Sequence, residues 1–390
     1  MLKKFTLKNY KNFKNELVLD LDKVAGYKFN TDCIKSDTIS KSIIYGRNAT
    51  GKTNLGRAIG DIVDTVMGGI RLYNFSKEKI ANADSDDKVV SFKYEFQFDD
   101  KNIIYSYKRN QFDNLEYESL YINQEQIYEI SFEQEMFSVV ALDKIEAQTI
   151  QIDKYLGLIK SKNEKMDIDE EEREQVPFLR YLLTNGALVP DSVLYKMEEY
   201  VKKMRFYSVT QQVNFMRRSK MVVSFTDYLG EEENLKHFEN FLNMMGVECK
   251  LITYKSVDGH FELFFNHKTP IHFYENASSG TLALANFYMR YVAVNRVPSF
   301  IYMDEFDAFY HYEMSERLVK YFKVKYPETQ VVMTTHNTNL MSNHLMRPDC
   351  VFVLSRDGRL TALSDATERE LREGHNLEKL YIGGEFEQYE

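Results

Sequence analysis

Apolar and polar positions alternate in short runs through much of the first third of the chain. Residues 2–9 alternate and predict a first strand; a turn at Tyr10-Lys11-Asn12-Phe13-Lys14 sends the chain back through a second strand at 16–20. Residues 89–98 alternate strictly, 99–102 form a turn, 103–108 alternate again, and 115–122 add a further run. A period of two gives each run one apolar face, so this region predicts an antiparallel meander with one side buried. Two other runs are apolar without alternation, Ser42-Ile43-Ile44-Tyr45 and 298–303, and 330–335 reads the same way. Such runs suit strands buried on both faces.

From 143 to 205 the pattern lengthens to that of helices. Pro177-Phe178-Leu179-Arg180-Tyr181-Leu182-Leu183 is apolar enough to pack, and Pro190-Asp191-Ser192 opens a helix expected to run to about Arg205. Before them the acidic run 167–174 reads as a solvated helix face or loop. Residues 231–245 predict an amphipathic helix. Residues 247–254 and 261–265 predict a hairpin turning near Asp258-Gly259. After 336 there remain a strand pair, 350–354 with 360–363, and a closing helix.

Composition narrows the class. The chain has 390 residues, 44% of them hydrophobic, enough for one large core or two smaller ones. Gly 17 and Pro 6 are low counts, so long disordered stretches are not expected. Cys33, Cys249 and Cys350 have no metal-like spacing and read as reduced residues of a cytoplasmic protein. No apolar run has membrane-spanning length, and no apolar segment of a secretory signal opens the chain. A net charge of -9 excludes a surface that attracts nucleic acid everywhere. The one marked basic cluster is Lys202, Lys203, Arg205, Arg217, Arg218 and Lys220, a candidate for nucleic-acid phosphates or else an ordinary surface or partner contact.

The candidate chemistry begins at Gly46-Arg47-Asn48-Ala49-Thr50-Gly51-Lys52-Thr53, followed by Asn54. This is Gly-x4-Gly-Lys-Thr between an apolar strand and a helix-like stretch, 54–63, the context a phosphate-binding loop requires. Glycines let the backbone curl so that its N–H groups converge on a phosphate, and the following helix adds the positive end of its dipole. Lys52 is expected to reach the outer phosphates and the Thr53 hydroxyl to hold magnesium. Tyr10 or Phe13, in the early turn, could stack on a base, or simply belong to a surface hairpin. Farther on, Ser278-Ser279-Gly280 opens an apolar helix and offers N–H groups to an anion, though the same residues serve as an ordinary N-cap. The run 298–303 ends in Asp304-Glu305, two adjacent acids at the end of a buried strand, which are expensive unless a cation or ligand is near. Asp304 is expected to help hold magnesium from its outer shell, and Glu305 to act as general base on an attacking water. The run 330–335 ends in His336, placed to hydrogen-bond a terminal phosphate.

In that order, phosphate loop, Ser-Ser-Gly helix, strand with Asp-Glu, strand with His, the chain resembles the ATP-binding-cassette ATPases of the SMC, RecF and OLD-type branch. The turn Lys8-Asn9-Tyr10-Lys11-Asn12-Phe13, the segment Asp304-Glu305-Phe306-Asp307-Ala308-Phe309-Tyr310-His311 and the late Asn376-Leu377-Glu378-Lys379-Leu380-Tyr381 resemble the AAA ATPases of bacterial abortive-infection and anti-phage systems. The resemblance implies an α/β ABC-ATPase head with an antiparallel β lobe and a short helical arm, divided as 1–142, 143–230 and 231–390. It also implies ATP and magnesium as ligands. It implies a homodimer or larger homo-oligomer with ATP sandwiched so that Ser278 and Gly280 of one copy touch the ATP on Lys52 of the other.

Several features depart from the broader family. The signature Ala277-Ser278-Ser279-Gly280-Thr281 differs from the transporters' Leu-Ser-Gly-Gly-Gln. No long heptad run or Cys-x-x-Cys occurs, so the coiled coil and zinc hook of break-repair ATPases are not expected. The glutamine loop is sought at 178–185. The stretch after His336 is too short for a nuclease domain. These features point to a switch that controls a separately encoded effector, such as a nuclease, in anti-phage defence. The rival reading is a DNA-repair or chromosome-associated ATPase that binds duplex DNA through the basic cluster. A binding module with a dead ATPase site fits less well, because Lys52, Asp304, Glu305 and His336 are all present.

Overall fold

The computed structural model describes residues 1–68, 79–145, 150–163, 175–186, 188–208, 221–293 and 297–389. Its principal elements are β1 (Leu2–Lys8), β2 (Leu17–Asp20), β3 (Lys41–Tyr45), α1 (Lys52–Met67), β4 (Val90–Phe98), β5 (Lys101–Arg109), β6 (Leu115–Ile122), β7 (Glu125–Ser131) and β8 (Met136–Val139). There follow α2 (Ile152–Asn163), α3 (Phe178–Asn185), α4 (Val193–Lys202), β9 (Met204–Ser208), α5 (Met221–Tyr228), α6 (Glu232–Met244), β10 (Leu251–Lys255), β11 (Phe261–Phe265) and β12 (Ile271–His272). The remainder holds α7 (Ser279–Phe287), β13 (Phe300–Asp304), α8 (Tyr312–Lys325), β14 (Gln330–Thr335), β15 (Val351–Leu354), β16 (Leu360–Ala362) and α9 (Leu377–Ile382).

Two sheets dominate. One has the order β9-β13-β14-β3-β15-β16, parallel except for β16. Its strands β3, β13, β14 and β15 are buried at every position, as a sheet covered on both faces requires. The other is antiparallel, in the order β8-β7-β6-β5-β4-β1-β2. In β4, buried residues alternate with half-buried ones, which is the alternation read in the sequence. A small three-stranded sheet, β10-β11-β12, completes the set.

Helix α1 lies between the two large sheets. Toward the parallel sheet, Gly56 meets the rings of Tyr302 and Phe206 so closely that a Cβ would come 2.3 Å from the first and 2.7 Å from the second. Toward the antiparallel sheet, the Tyr94 hydroxyl donates to the Ala58 carbonyl (2.8 Å), Tyr107 to Asp61 (2.6 Å) and Arg109 to Thr65 (2.7 Å). Gln330 joins the sheets again: its side-chain oxygen accepts from Leu2 N–H and its amide donates to the Leu2 carbonyl, each at 2.8 Å. The phosphate-loop helix is therefore held from both sides.

The helix predicted to reach Arg205 stops at Lys202, and 204–208 instead pair with β13 as an edge strand. Met204 and Tyr207 are buried there, and the ladder with β13 outweighs continued helix. Helix α1 begins at Lys52, two residues earlier than the apolar pattern suggests. The meander is longer than predicted, with β7 and β8 added. Cys33, Cys249 and Cys350 are free thiols. Among the described residues no helix is long and apolar enough to cross a membrane. The acidic run 167–174 and Arg217, Arg218 and Lys220 lie outside the described residues.

Glu118, fully buried in β6, accepts from Tyr105 (3.0 Å), Tyr128 (2.8 Å), and the first amides of α3, Phe178 N–H (2.6 Å) and Leu179 N–H (2.9 Å). Burial pushes its carboxyl above the ordinary range while these four donors pull the other way. Replacing it with glutamine sets an NH2 group against one of these donors. Glu118→Gln is expected to lower unfolding stability by about 1–3 kcal/mol, read as a lower urea midpoint; an unchanged midpoint would contradict the role given to this carboxylate.

Candidate active site

The loop after β3 is shaped by crowding. A Cβ on Gly46 would come 2.8 Å from Thr50 Oγ1 and 2.9 Å from the Leu354 carbonyl. Ala49 (φ 65°) and Gly51 (φ 105°) adopt left-handed backbone. The Thr50 hydroxyl donates back to the Arg47 carbonyl (3.0 Å). Gly51 caps α1 without any side-chain hydrogen bond, so the first amides of the helix are left for an anion. Arg47, Asn48 and Ala49 are exposed on the crest of the loop. Asn54, one turn into α1, donates to Asn12 Oδ1 (2.8 Å), and Asn12 donates to the Thr50 carbonyl (2.8 Å).

The Lys52 ammonium is folded onto its own loop, donating to the carbonyls of Gly46 (2.8 Å) and Arg47 (3.1 Å), with His336 Nδ1 3.5 Å away. Burial pulls its pKa down to about 8, against the attraction of Asp304 and Glu305. Lys52 thus stays largely charged at neutral pH and can exchange carbonyl partners for phosphate oxygens.

Strand order brings the acids to the loop. Strands β13, β14 and β3 are successive parallel neighbours, with Met303 beside Met333 and Thr335 beside Tyr45. Their carboxyl ends therefore open on one edge, where α/β sheets bind ligands. There Thr53 Oγ1 donates to Asp304 Oδ2 at 2.8 Å, across 251 positions of sequence, and Thr334 Oγ1 donates to Asp304 Oδ1 at 3.1 Å. Beneath them the Tyr302 hydroxyl donates to the Lys52 carbonyl (2.6 Å), tying β13 to the start of α1. Asp304 is 2% exposed, and burial raises its pKa against the pull of both hydroxyls. Glu305 has left-handed backbone (φ 48°) and places its carboxylate 4.0 Å from His336 Nε2. Burial and Lys52 together lower the His336 pKa, which favours the neutral ring. Behind His336, the Thr335 hydroxyl donates to Asp307 (2.7 Å), whose carboxyl burial raises.

A hydroxyl beside a buried carboxylate gives an all-oxygen donor pair, the kind magnesium accepts when phosphate oxygens and water complete its shell. Thr53 and Asp304 fit such an ion, and among the described residues no group of three or more His, Cys, Asp or Glu side chains offers a metal site of its own.

Thus Gly46, Arg47, Asn48, Ala49, Thr50, Gly51, Lys52, Thr53 and Asn54 come together with Asp304, Glu305 and His336. Ser278, Ser279 and Gly280 do not join them. Ser278 Oγ caps α7 by accepting from Thr281 N–H (3.1 Å), and among the described residues none of the hydrogen bonds of this segment reaches the loop. Gly280 is buried, and a Cβ there would come 2.7 Å from the Phe309 carbonyl.

Phe13 is fully buried under Gly358, so its ring is not free to stack on a base, and the half-buried Tyr10 packs edge-on against Phe92. Their turn instead supplies Asn12, whose only sequence signal is its place after β1. The region 178–185 also serves another end: Arg180 donates to the carbonyls of Asp64 (2.7 Å) and Thr65 (2.9 Å), in the last turn of α1. The rise along α1 from Lys52 to Asp64 and Thr65 puts that contact roughly 18–20 Å from the loop, so no glutamine loop lies there. Thr334 was missed altogether; a hydroxyl inside the apolar run Val331-Val332-Met333 was the available hint.

Residues 41–342 match the family described as "AAA domain, putative AbiEii toxin, Type IV TA system". The match takes in most of the chain and every residue of the site except Asn12, and the chain belongs to this family. No curated protein matches. Among solved structures, an SMC head domain from Thermotoga maritima is similar at 13% identity, covering 93% of this chain and 98% of its own, with TM-score 0.42. A Smc head with an extended coiled coil, derived from Pyrococcus furiosus and bound to the C-terminal domain of ScpA, matches at 13% identity over 94% of this chain and 97% of its own, TM-score 0.44. A Smc head with coiled coil and joint from Pyrococcus yayanosii gives 13%, 93%, 98% and 0.45.

A Cβ on Gly51 would fall 2.1 Å from Asn12 Nδ2 on a left-handed backbone. Gly51→Ala is expected to weaken ATP binding at least about tenfold while the protein stays folded. Calorimetric titration with ATP checks this, and an unchanged affinity would contradict the loop geometry.

Proposed function

We propose that this member of the AAA-domain family binds ATP with magnesium, hydrolyses it, and uses the cycle as a dimeric switch. The observation that carries the proposal is the 2.8 Å contact between Thr53 and Asp304, which joins a phosphate loop to a pair of acids from the far end of the sequence. In the cycle, Lys52 leaves the Gly46 and Arg47 carbonyls for the outer phosphates. Glu305 takes a proton from the attacking water, and His336 hydrogen-bonds the terminal phosphate. When bound, magnesium at Thr53 and Asp304 supplies charge neutralisation at the phosphates. Ser278 is exposed at the cap of α7, outside its own chain's site. We assign it, with Ser279 and Gly280, to the ATP held by a partner copy, so that binding closes the dimer and hydrolysis opens it.

The family description, which names a putative toxin of a toxin–antitoxin system, supports a role in bacterial anti-phage defence. In that role the switch would act in the cytoplasm and hold or release a separately encoded effector, such as a nuclease. The DNA-clamping alternative is less well supported. Within the described part of its basic cluster, Lys202 and Lys203 both pair with Glu199, at 3.5 and 3.0 Å. Co-purification with neighbouring gene products tests the defence role; a protein with no partner and no effect on phage growth would contradict it.

Glu305→Gln is expected to cut ATP turnover by at least about a hundredfold and to retain ATP in a dimer that light scattering detects. Turnover at the wild-type rate would overturn Glu305 as base. A variant that stays monomeric in ATP would overturn the switch.

A further inference from the structure

Strand β14 is a fully buried parallel strand, and its register with β13 runs only as far as Met303 beside Met333. Beyond that point Thr334 takes over the pairing in two ways. Its carbonyl accepts from Phe306 N–H at 3.1 Å, and its side-chain oxygen accepts from Glu305 N–H at 2.8 Å. The same hydroxyl gives its one proton to Asp304 Oδ1 at 3.1 Å. Thr334 is fully buried, where an apolar residue would be the ordinary choice and a hydroxyl is costly unless bonded. Here it is bonded twice, once to each neighbouring acid.

We infer that the Thr334 hydroxyl is a positioning group that sets both acids of the site, Asp304 by its side chain and Glu305 by its backbone. This rests on the reading of the site as a magnesium–ATP hydrolase. Asp304 has two oxygens and two neutral donors, Thr53 on Oδ2 and Thr334 on Oδ1. With Oδ1 fixed from behind, the carboxylate cannot rotate, and Oδ2 is kept facing the Thr53 hydroxyl and the phosphate loop. Outer partners of this kind orient the groups that hold a metal. Glu305 is the second consequence. Its left-handed backbone is strained for a residue with a Cβ and needs support from outside. The Thr334 hydroxyl accepts the amide of that turn, so the bend that aims the Glu305 carboxylate at His336 depends on it.

Thr334→Val keeps the β-branched shape, the carbonyl and the strand, and removes only the hydroxyl. Thr334→Ser keeps the hydroxyl. We expect the valine variant to lose at least about tenfold in kcat and to show a raised KM for magnesium–ATP, and the serine variant to stay within about threefold in both. A second readout does not depend on turnover: ATP affinity is titrated with magnesium and again with the metal chelated. Wild type and Thr334→Ser should bind more tightly with the metal, whereas Thr334→Val should lose most of that gain and keep its metal-free affinity.

A folded Thr334→Val protein with wild-type kcat and a wild-type magnesium gain overturns the inference, as does a serine variant as impaired as the valine one. A wild-type protein that gains nothing from magnesium overturns the hydrolase reading, and this assignment with it. Loss confined to the valine variant supports both.

Discussion

A carboxylate that water hardly reaches must be held by something else, and around Asp304 that something is two hydroxyls from opposite parts of the chain. Thr53 comes from the helix after the phosphate loop and Thr334 from the strand that leads to His336. Burial raises the pKa of Asp304, so the folded protein keeps its charge at a cost that these donors offset only in part. A bound cation would remove the remainder. The stability of this corner and its affinity for a metal nucleotide are therefore aspects of one electrostatic arrangement.

The rest of the fold keeps that arrangement in register. Parallel pairing in the order β13-β14-β3 brings three strand ends level, and α1 cannot slide because both of its faces are engaged. Gly56 permits the close approach to Tyr302 that lets the tyrosine hydroxyl reach the Lys52 carbonyl. At the other end of α1, Arg180 caps the last turn, and α3, which carries it, is anchored by the buried Glu118. The antiparallel sheet thus contributes to the site without supplying a residue to the chemistry: it fixes the helix on which Lys52 and Thr53 stand.

Much of this was legible in the sequence because it lies in contiguous motifs. The loop from Gly46 to Asn54, the Asp304-Glu305 pair and His336 each announce themselves by local spacing, and unbroken apolar runs announced the buried parallel strands. What stayed hidden depends on long-range packing. The turn containing Phe13 invited a stacking role, yet the ring closes the core and the neighbouring Asn12 does the binding to the loop. Met204 and Arg205 looked helical because the residues before them are; their fate, with 206–208, as a strand is decided by an open edge of β13 that no local window contains. Thr334 resembled filler in an apolar strand, and its two hydrogen bonds appear only when that strand lies beside Asp304. Ser278 remains the outlier, since its own chain uses it as a helix cap.

That last residue leads to the most direct test of the account, which holds that one site is built from distant segments of one chain and completed by a second copy. Lys52→Ala and Ser278→Arg proteins are purified separately, assayed for ATP hydrolysis, then mixed in equal amounts and assayed again. If sites are shared between copies, each variant alone is inactive. Half of the dimers in the mixture are then heterodimers, each with one intact site of two, restoring about a quarter of wild-type activity. A mixture as inactive as its components, with subunit exchange demonstrated, would contradict the shared site.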